Sequence, residues 1–223
     1  MKDSKRVTFK ISQRISDHLI EAILIFTSVF FAFWLTEYRE SRNEAATIEI
    51  SLQHVASEMK YNHKRAESIF RYHTNLIKEI DSLRQQDETA WKKLSGEDLS
   101  SWKGLQMPML RSTAYQTFLN SNIIDNVEFE LAKSLADIYN SQSIVERFDN
   151  SFFEVATTDT ELSNLPKVRH LAKIYMGIIP ELMSHYQLGK NRWFDKYGYD
   201  MEIENEKLKR IVDSRVNQLN IEK

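Results

Sequence analysis

Apolar positions along this chain follow two patterns that join end to end. From Leu19 to Thr36 the sequence reads LIEAILIFTSVFFAFWLT, and the fifteen residues between Glu21 and Glu37 hold no charge, no Gly and no Pro. On a helix, Ile23, Leu24, Ile25, Phe26, Val29, Phe30, Phe31 and Phe33 circle the whole surface, so no polar face remains. The eighteen residues from Leu19 to Thr36 make a helix of ~27 Å at ~1.5 Å per residue, near the lower limit for a ~30 Å hydrocarbon core. Trp34 and Tyr38 stand at the far end, where amphipathic rings favour the lipid–water boundary. The pattern predicts a single-pass transmembrane helix over residues 18–36, with a buried core helix as the competing reading. A cleaved signal peptide fits less well, because Thr36-Glu37-Tyr38-Arg39-Glu40 follows in place of a small-residue cleavage site.

The second pattern begins where the first ends. No Gly or Pro occurs before Gly96, and along this run Ile48, Leu52, Val55, Met59, Asn62, Ala66, Ile69, His73, Leu76, Ile80 and Leu83 fall at alternating steps of four and three. That is a 3.5-residue repeat over five heptads, the spacing of a packed helical seam. Extended backwards, it meets Ala45, Ser41, Tyr38 and Trp34, so one helix is expected from about residue 15 to about residue 84. Ile48, Leu52, Val55, Met59, Asn62, Ile69, His73 and Leu76 are the candidate oligomer or partner interface. Asn62 and His73 interrupt the seam. A buried Asn there fixes register or oligomeric state, and His73 is a candidate pH-sensitive contact. The alternative is that the stripe packs against the rest of the same chain, since Phe70 and Ile77 widen it beyond a two-helix seam.

After Arg84 the periodicity breaks, with turn signals at Ser95-Gly96-Glu97-Asp98 and Gly104 to Pro108 around a short helix carrying Trp102. Ser112 or Thr113 opens a helix through Tyr115 and Phe118, and Asp125 with Glu128 has capping-box spacing before a long helix. On that helix Leu131, Leu135, Ile138, Val145, Phe148 and Phe152 share a face. Thr157 to Asn164 reads as a loop. Pro166 suits the first turn of a helix to about Ile179, and Pro180 suits the start of another. A last amphipathic helix is expected from about Met201, with Leu208, Ile211, Val212, Val216 and Leu219 on one side. No window alternates with period two, so no sheet is expected. The fold class is all-α: a transmembrane helix continuing into a long coiled-coil-like helix packed with a helical bundle. The segments are a basic head (1–17), the transmembrane helix (18–36), the heptad helix (37–84) and the bundle (85–223).

Charge adds orientation. Residues 1–18 hold Lys2, Lys5, Arg6, Lys10 and Arg14 against Arg39 and Arg42 in residues 37–54. The positive-inside bias then places the N-terminus in the cytoplasm and the domain after Thr36 outside it, with a cytoplasmic domain as the alternative. The head's Val7, Phe9, Ile11 and Ile15 suit the inner membrane surface. A net charge of −2 implies no nucleic-acid partner. Zero Cys excludes disulfides, thiolate metal sites and a cysteine nucleophile.

Candidate chemistry is sparse. Glu21 is an ionisable residue just inside the span, which marks it for function or for headgroup contact near a helix N-terminus. His54/Glu58 and His63/Glu67 sit four apart and offer two metal ligands each, a spacing also common on solvated faces. The aromatic group Trp193, Phe194, Tyr197 and Tyr199 is a candidate recognition surface or a core closure. No Gly-rich phosphate loop, His-Glu-x-x-His motif or activated Ser is present, so no catalytic, cofactor-binding or metal-ligating residue is assigned.

Glu21, the apolar run with Ala32, then Tyr38-Arg39-Glu40 and Arg42 resemble a family of uncharacterised single-pass bacterial membrane proteins. Thr113-Ala114-Tyr115-Gln116-Thr117-Phe118-Leu119, Asn120-Ser121, Leu131 and Ile138-Tyr139 are similar to a second stretch of that family. Asn122 stands where the family has Gly, and Tyr38 where it has Trp. The resemblance covers about residues 15–150. It implies an N-terminal anchor in a bacterial inner membrane with a helical domain, and no activity. Two function classes follow: a membrane-anchored interaction or scaffold protein that self-associates or docks a protein partner, and a membrane-acting effector of phage-defence or toxin type whose oligomerised anchor perturbs the bilayer. Glu21, Thr27 and Ser28 are the hints of the second.

Overall fold

The computed structural model describes residues 13–104, 106–121, 123–158 and 164–221. They form five α-helices: α1 (Gln13–Gln86), α2 (Thr113–Leu119), α3 (Phe129–Thr158), α4 (Leu165–Gly189) and α5 (Glu206–Ile221), with no strand among them. Most of the basic head, including Val7, Phe9 and Ile11, lies outside the described residues. The chain divides into two compact units, one ending at Thr47 and one starting at Ile48.

In the first unit every described side chain from Asp17 to Asn43 is exposed. This stretch of α1 is long and apolar enough to cross a membrane, and none of its apolar window is buried. Two of its hydroxyls are satisfied locally, as an apolar solvent requires: Ser28 Oγ donates to Leu24 O at 2.7 Å and Thr36 Oγ1 to Ala32 O at 2.9 Å. Trp34 and Tyr38 stack at 6.0 Å between ring centroids.

The second unit packs around residues 48–86 of α1. Leu52, Val55, Met59, Ala66, Ile69, Leu76 and Ile80 are at most 3% exposed. Burying each large side chain among them stabilises the fold by ~1.5–3 kcal/mol. Glu58 meets Tyr139 and Asn62 meets Gln142, so α3 runs alongside α1 in the same direction. Asp81 meets Arg169 and Thr74 meets Met176, so α4 runs back against it. Leu208, Val212 and Val216 bury the inner face of α5 in the same core. A smaller cluster of Leu76, Ile80, Trp91, Leu99, Leu165 and Val168 closes the other end. There Leu165 N donates to Leu94 O at 3.1 Å. Gly96 lies flat under Trp102, where a Cβ would come within 2.6 Å of the indole, so the turn requires glycine.

Several boundaries differ from the sequence reading. Pro180 does not start a helix; α4 passes through it without a break. An internal Pro costs ~3 kcal/mol, but Pro180 sits fully inside the core with Ile179, Leu182 and Met183, whose burial outweighs that cost. The short helix expected around Trp102 is replaced by two 3₁₀ turns, Ala90–Lys93 and Gly96–Asp98. Asp125 lies in a 3₁₀ turn (Ile124–Asn126), and α3 starts after it at Phe129. The last helix starts at Glu206 because Asn205 caps it, its Oδ1 accepting from Leu208 N at 3.0 Å. The loop expected from Thr157 starts later, because α3 continues to Thr158; residues 159–163 lie outside the described residues.

Candidate functional site

The stripe read as a seam between copies is spent inside one chain. Leu52, Val55, Met59, Ile69 and Leu76 lie in the core, Ile48 packs at its margin, and Asn62 and His73 are 0% and 2% exposed. What covers them is α3, α4 and the segment 100–115, so these positions are not open to a second copy. The spacing was compatible with both outcomes; the width added by Phe70 (0% exposed) and Ile77 decides for burial within the chain.

Asn62 and His73 belong to a larger arrangement. Between the 3₁₀ turn at Gly96–Asp98 and α2 the described residues make little backbone pairing of their own, Trp102 N to Leu99 O at 3.2 Å among it, and α1 side chains take up many of their polar groups. Glu79 accepts from Ser100 N at 2.6 Å and Ser101 N at 3.0 Å. Tyr72 donates to Gly104 O at 2.6 Å and accepts from Lys103 N at 3.1 Å. His73 Nε2 donates to Gln106 O at 3.0 Å, and Arg65 donates to Pro108 O at 3.0 Å and Met107 O at 3.3 Å. Asn62 holds Arg111 from both sides, Nδ2 to O at 2.7 Å and N to Oδ1 at 2.9 Å. Glu58 accepts from Ala114 N at 2.8 Å and Tyr115 N at 3.3 Å, capping α2 in place of Ser112. As residue numbers fall along α1 they rise along the segment, so it is a strap laid antiparallel on the helix. An unpaired buried amide or carbonyl costs ~1–3 kcal/mol, which is the physical reason for polar residues in this seam.

Around the strap the core carries a set of buried polar groups. Gln142 Nε2 donates to Arg111 O at 2.8 Å, and Tyr186 donates to Gln142 Oε1 at 3.0 Å. Tyr139 donates to Glu58 Oε1 at 2.7 Å and stacks on Tyr115 at 3.9 Å. Burial raises the pKa of Tyr139, Tyr175, Tyr186 and Tyr199, so all four remain neutral donors. Burial also lowers His63 and His73 to about 4, so both are neutral at pH 7. His73 stacks on Tyr175 at 4.6 Å, and Tyr175 donates to Asp149 at 2.7 Å. Burial pushes Asp149 up to about 6, against the hydrogen bonds from Tyr175 and the Met109 amide.

The metal pairs are not assembled into a site. Among the described residues no three His, Asp or Glu side chains come together as metal ligands. Glu58 is committed to three donors, while His63 Nδ1 pairs with the Tyr199 hydroxyl at 2.8 Å and Glu67 accepts from Asn205 N at 2.5 Å. Of the aromatic group, Phe194 and Tyr199 are buried, so it closes the core. Glu21 is exposed, 3.7 Å from His18.

Several clefts open on the second unit, two of them beside the strap. One, of about 710 Å³, lies between α1 and α2 and includes Ser51, His54, Ser57, Tyr61, Arg111 and Thr113. The other, of about 450 Å³, is lined by Met107, Met109, Glu146, Asp149 and Phe153. The sequence reading named His54 but not Tyr61 or Arg111, because Arg111 comes from the strap, whose backbone partners leave no periodic signal. No protein-family model matches the chain, and no curated protein or solved structure matches it.

Proposed function

We propose that this chain is a membrane-anchored helical interaction protein, held in a bacterial inner membrane by residues 18–36 and working through binding, not catalysis. The observation that carries this reading is a contrast in burial. The apolar span is wholly exposed, while the unit from Ile48 onward completes its core without it. An exposed apolar helix of this length in water would be a severe aggregation liability, and a bilayer removes it. Five Lys/Arg before the span against two after it favour an extracytoplasmic domain. Contacts between copies, or with a protein partner, have to use surface outside the buried stripe. Bilayer perturbation draws less support, since Ser28 is spent on the Leu24 carbonyl of its own helix.

Alkaline carbonate washing tests the anchor: the chain stays in the membrane pellet, and release into the supernatant defeats the reading. A phosphatase fused after Lys223 tests the side. It is expected to be active, and an inactive phosphatase beside an active cytoplasmic reporter at the same site reverses the topology.

A further inference from the structure

We infer that the cleft between α1 and α2 is a binding site for an organic phosphate, with Arg111 as the residue that grips the phosphoryl oxygens. The inference stands apart from the anchoring reading, because it uses only the unit from Ile48 onward.

Arg111 is an exposed cation on an unusually fixed backbone. Its amide and carbonyl are held by buried Asn62 and its carbonyl also by buried Gln142, three hydrogen bonds of 2.7–2.9 Å to one residue. Its guanidinium lies 3.7 Å above the Tyr61 ring. Stacking uses the face of the guanidinium and leaves its in-plane N–H groups free, the fork that matches two oxygens of a phosphate. Among the described residues no carboxylate pairs with it. A free surface arginine loses rotamer entropy on gripping a ligand; this one has lost much of it already.

The rest of the cleft is biased towards an acceptor-rich guest. Ser51, Ser57 and Thr113 hydroxyls and the exposed His54 imidazole line the same space. None of these side chains donates a hydrogen bond to another described residue. Glu58 is the one carboxylate at the wall, and its charge is already met by Ala114 N, Tyr115 N and the Tyr139 hydroxyl. Phe118 and Tyr61 supply apolar wall, and a volume of about 710 Å³ admits a phosphate with an organic body. A phosphate fits the donor set better than a carboxylate, having three oxygens to share between the fork and the hydroxyls.

Free phosphomonoesters and phospholipid headgroups share this chemistry, so the experiment has two arms. Full-length protein in a neutral detergent is titrated calorimetrically with phenyl phosphate. The same protein in phosphatidylcholine nanodiscs, with and without phosphatidic acid, is followed by thermal unfolding. Arg111→Gln is expected to weaken the responsive arm about ten- to hundred-fold, the scale of a lost charge-assisted pair. His54→Gln is expected to weaken it about two- to five-fold, and Lys64→Gln, which removes an exposed charge elsewhere on α1, to leave it unchanged. Response to phenyl phosphate identifies a soluble ligand, and response to phosphatidic acid alone identifies a headgroup. Should Arg111→Gln fail to fold, Arg111→Lys and His54→Gln carry the same test. No response in either arm, or a response that Lys64→Gln reduces as much as Arg111→Gln, overturns the inference.

Discussion

Replacing Asn62 by Leu separates a seam between copies from a seam within one chain. In the structure Asn62 is fully buried and its amide does three things at once: it accepts from Arg111 N, donates to Arg111 O and donates to Gln142 Oε1. Leu has a similar volume and does none of them. The Arg111 carbonyl keeps Gln142 Nε2, and Gln142 Oε1 keeps the Tyr186 hydroxyl. The Arg111 amide keeps nothing. One orphaned amide costs ~1–3 kcal/mol, and the apolar gain from Leu is small because it faces a carbonyl and a carboxamide. The expected loss is about 2 kcal/mol, or about 4–8 °C in Tm for a unit of this size. Asn62→Asp keeps the acceptor but buries a charge against two oxygens, so it is expected to lose more at pH 7 and to recover on acidification. Thermal unfolding of the purified full chain in detergent measures both variants, and mass photometry measures assembly alongside. A loss of less than about 0.5 kcal/mol, or a change of mass on Asn62→Leu, refutes the assignment of this residue to the strap and returns it to an interface between copies.

The two buried histidines set an acid limit. Their folded values of about 4 lie below the ordinary 6.5, so their stabilisation is complete above pH 6.5 and is lost as pH falls towards 4. From pH 7 to 4.5 each contributes a loss of about 2–3 kcal/mol. His73→Gln is expected to flatten the Tm–pH curve in that window, and an unchanged curve counts against a buried neutral His73. Asp149 acts with the opposite sign: raised to about 6, it favours the folded state most below about pH 4, and that favour is gone above pH 6. Asp149→Asn keeps an acceptor for Tyr175 and removes the buried charge, so chemical denaturation at pH 7.5 should show equal or higher stability, with no gain at pH 4.

The helical architecture was readable because it is periodic. Residues 13–86 lack any chain breaker, and the 3.5-residue stripe from Ile48 to Leu83 marks a buried face whatever buries it. The identity of the cover was not readable. Tyr139 and Gln142 reach α1 residues from 80 or more positions away, and no local pattern encodes such pairings. The strap was hidden for a different reason. Its backbone is satisfied by side chains, so it has neither helical nor strand spacing, and only Gly104 and Pro108 mark it as irregular. The cleft depended on the strap and was hidden with it. Pro180 misled because local helix-breaking was overridden by core packing.

The antiparallel strap has a consequence for the order in which the domain assembles. Its ties to α1 form a graded series of loops, spanning 21 residues at Glu79–Ser100, 31–33 at Tyr72 and His73, 49 at Asn62 and 57 at Glu58–Tyr115. Closing the largest loop outright costs about 0.9 kcal/mol more in chain entropy than closing the smallest, by the logarithmic law of loop closure. Once the smallest has closed, each later tie spans only a few new residues. The segment therefore closes like a zip fastened from the Glu79 end, and the end carrying Arg111 is the last to be placed. Substitutions at Glu79 are expected to slow folding, and those at Glu58 and Asn62 chiefly to speed unfolding.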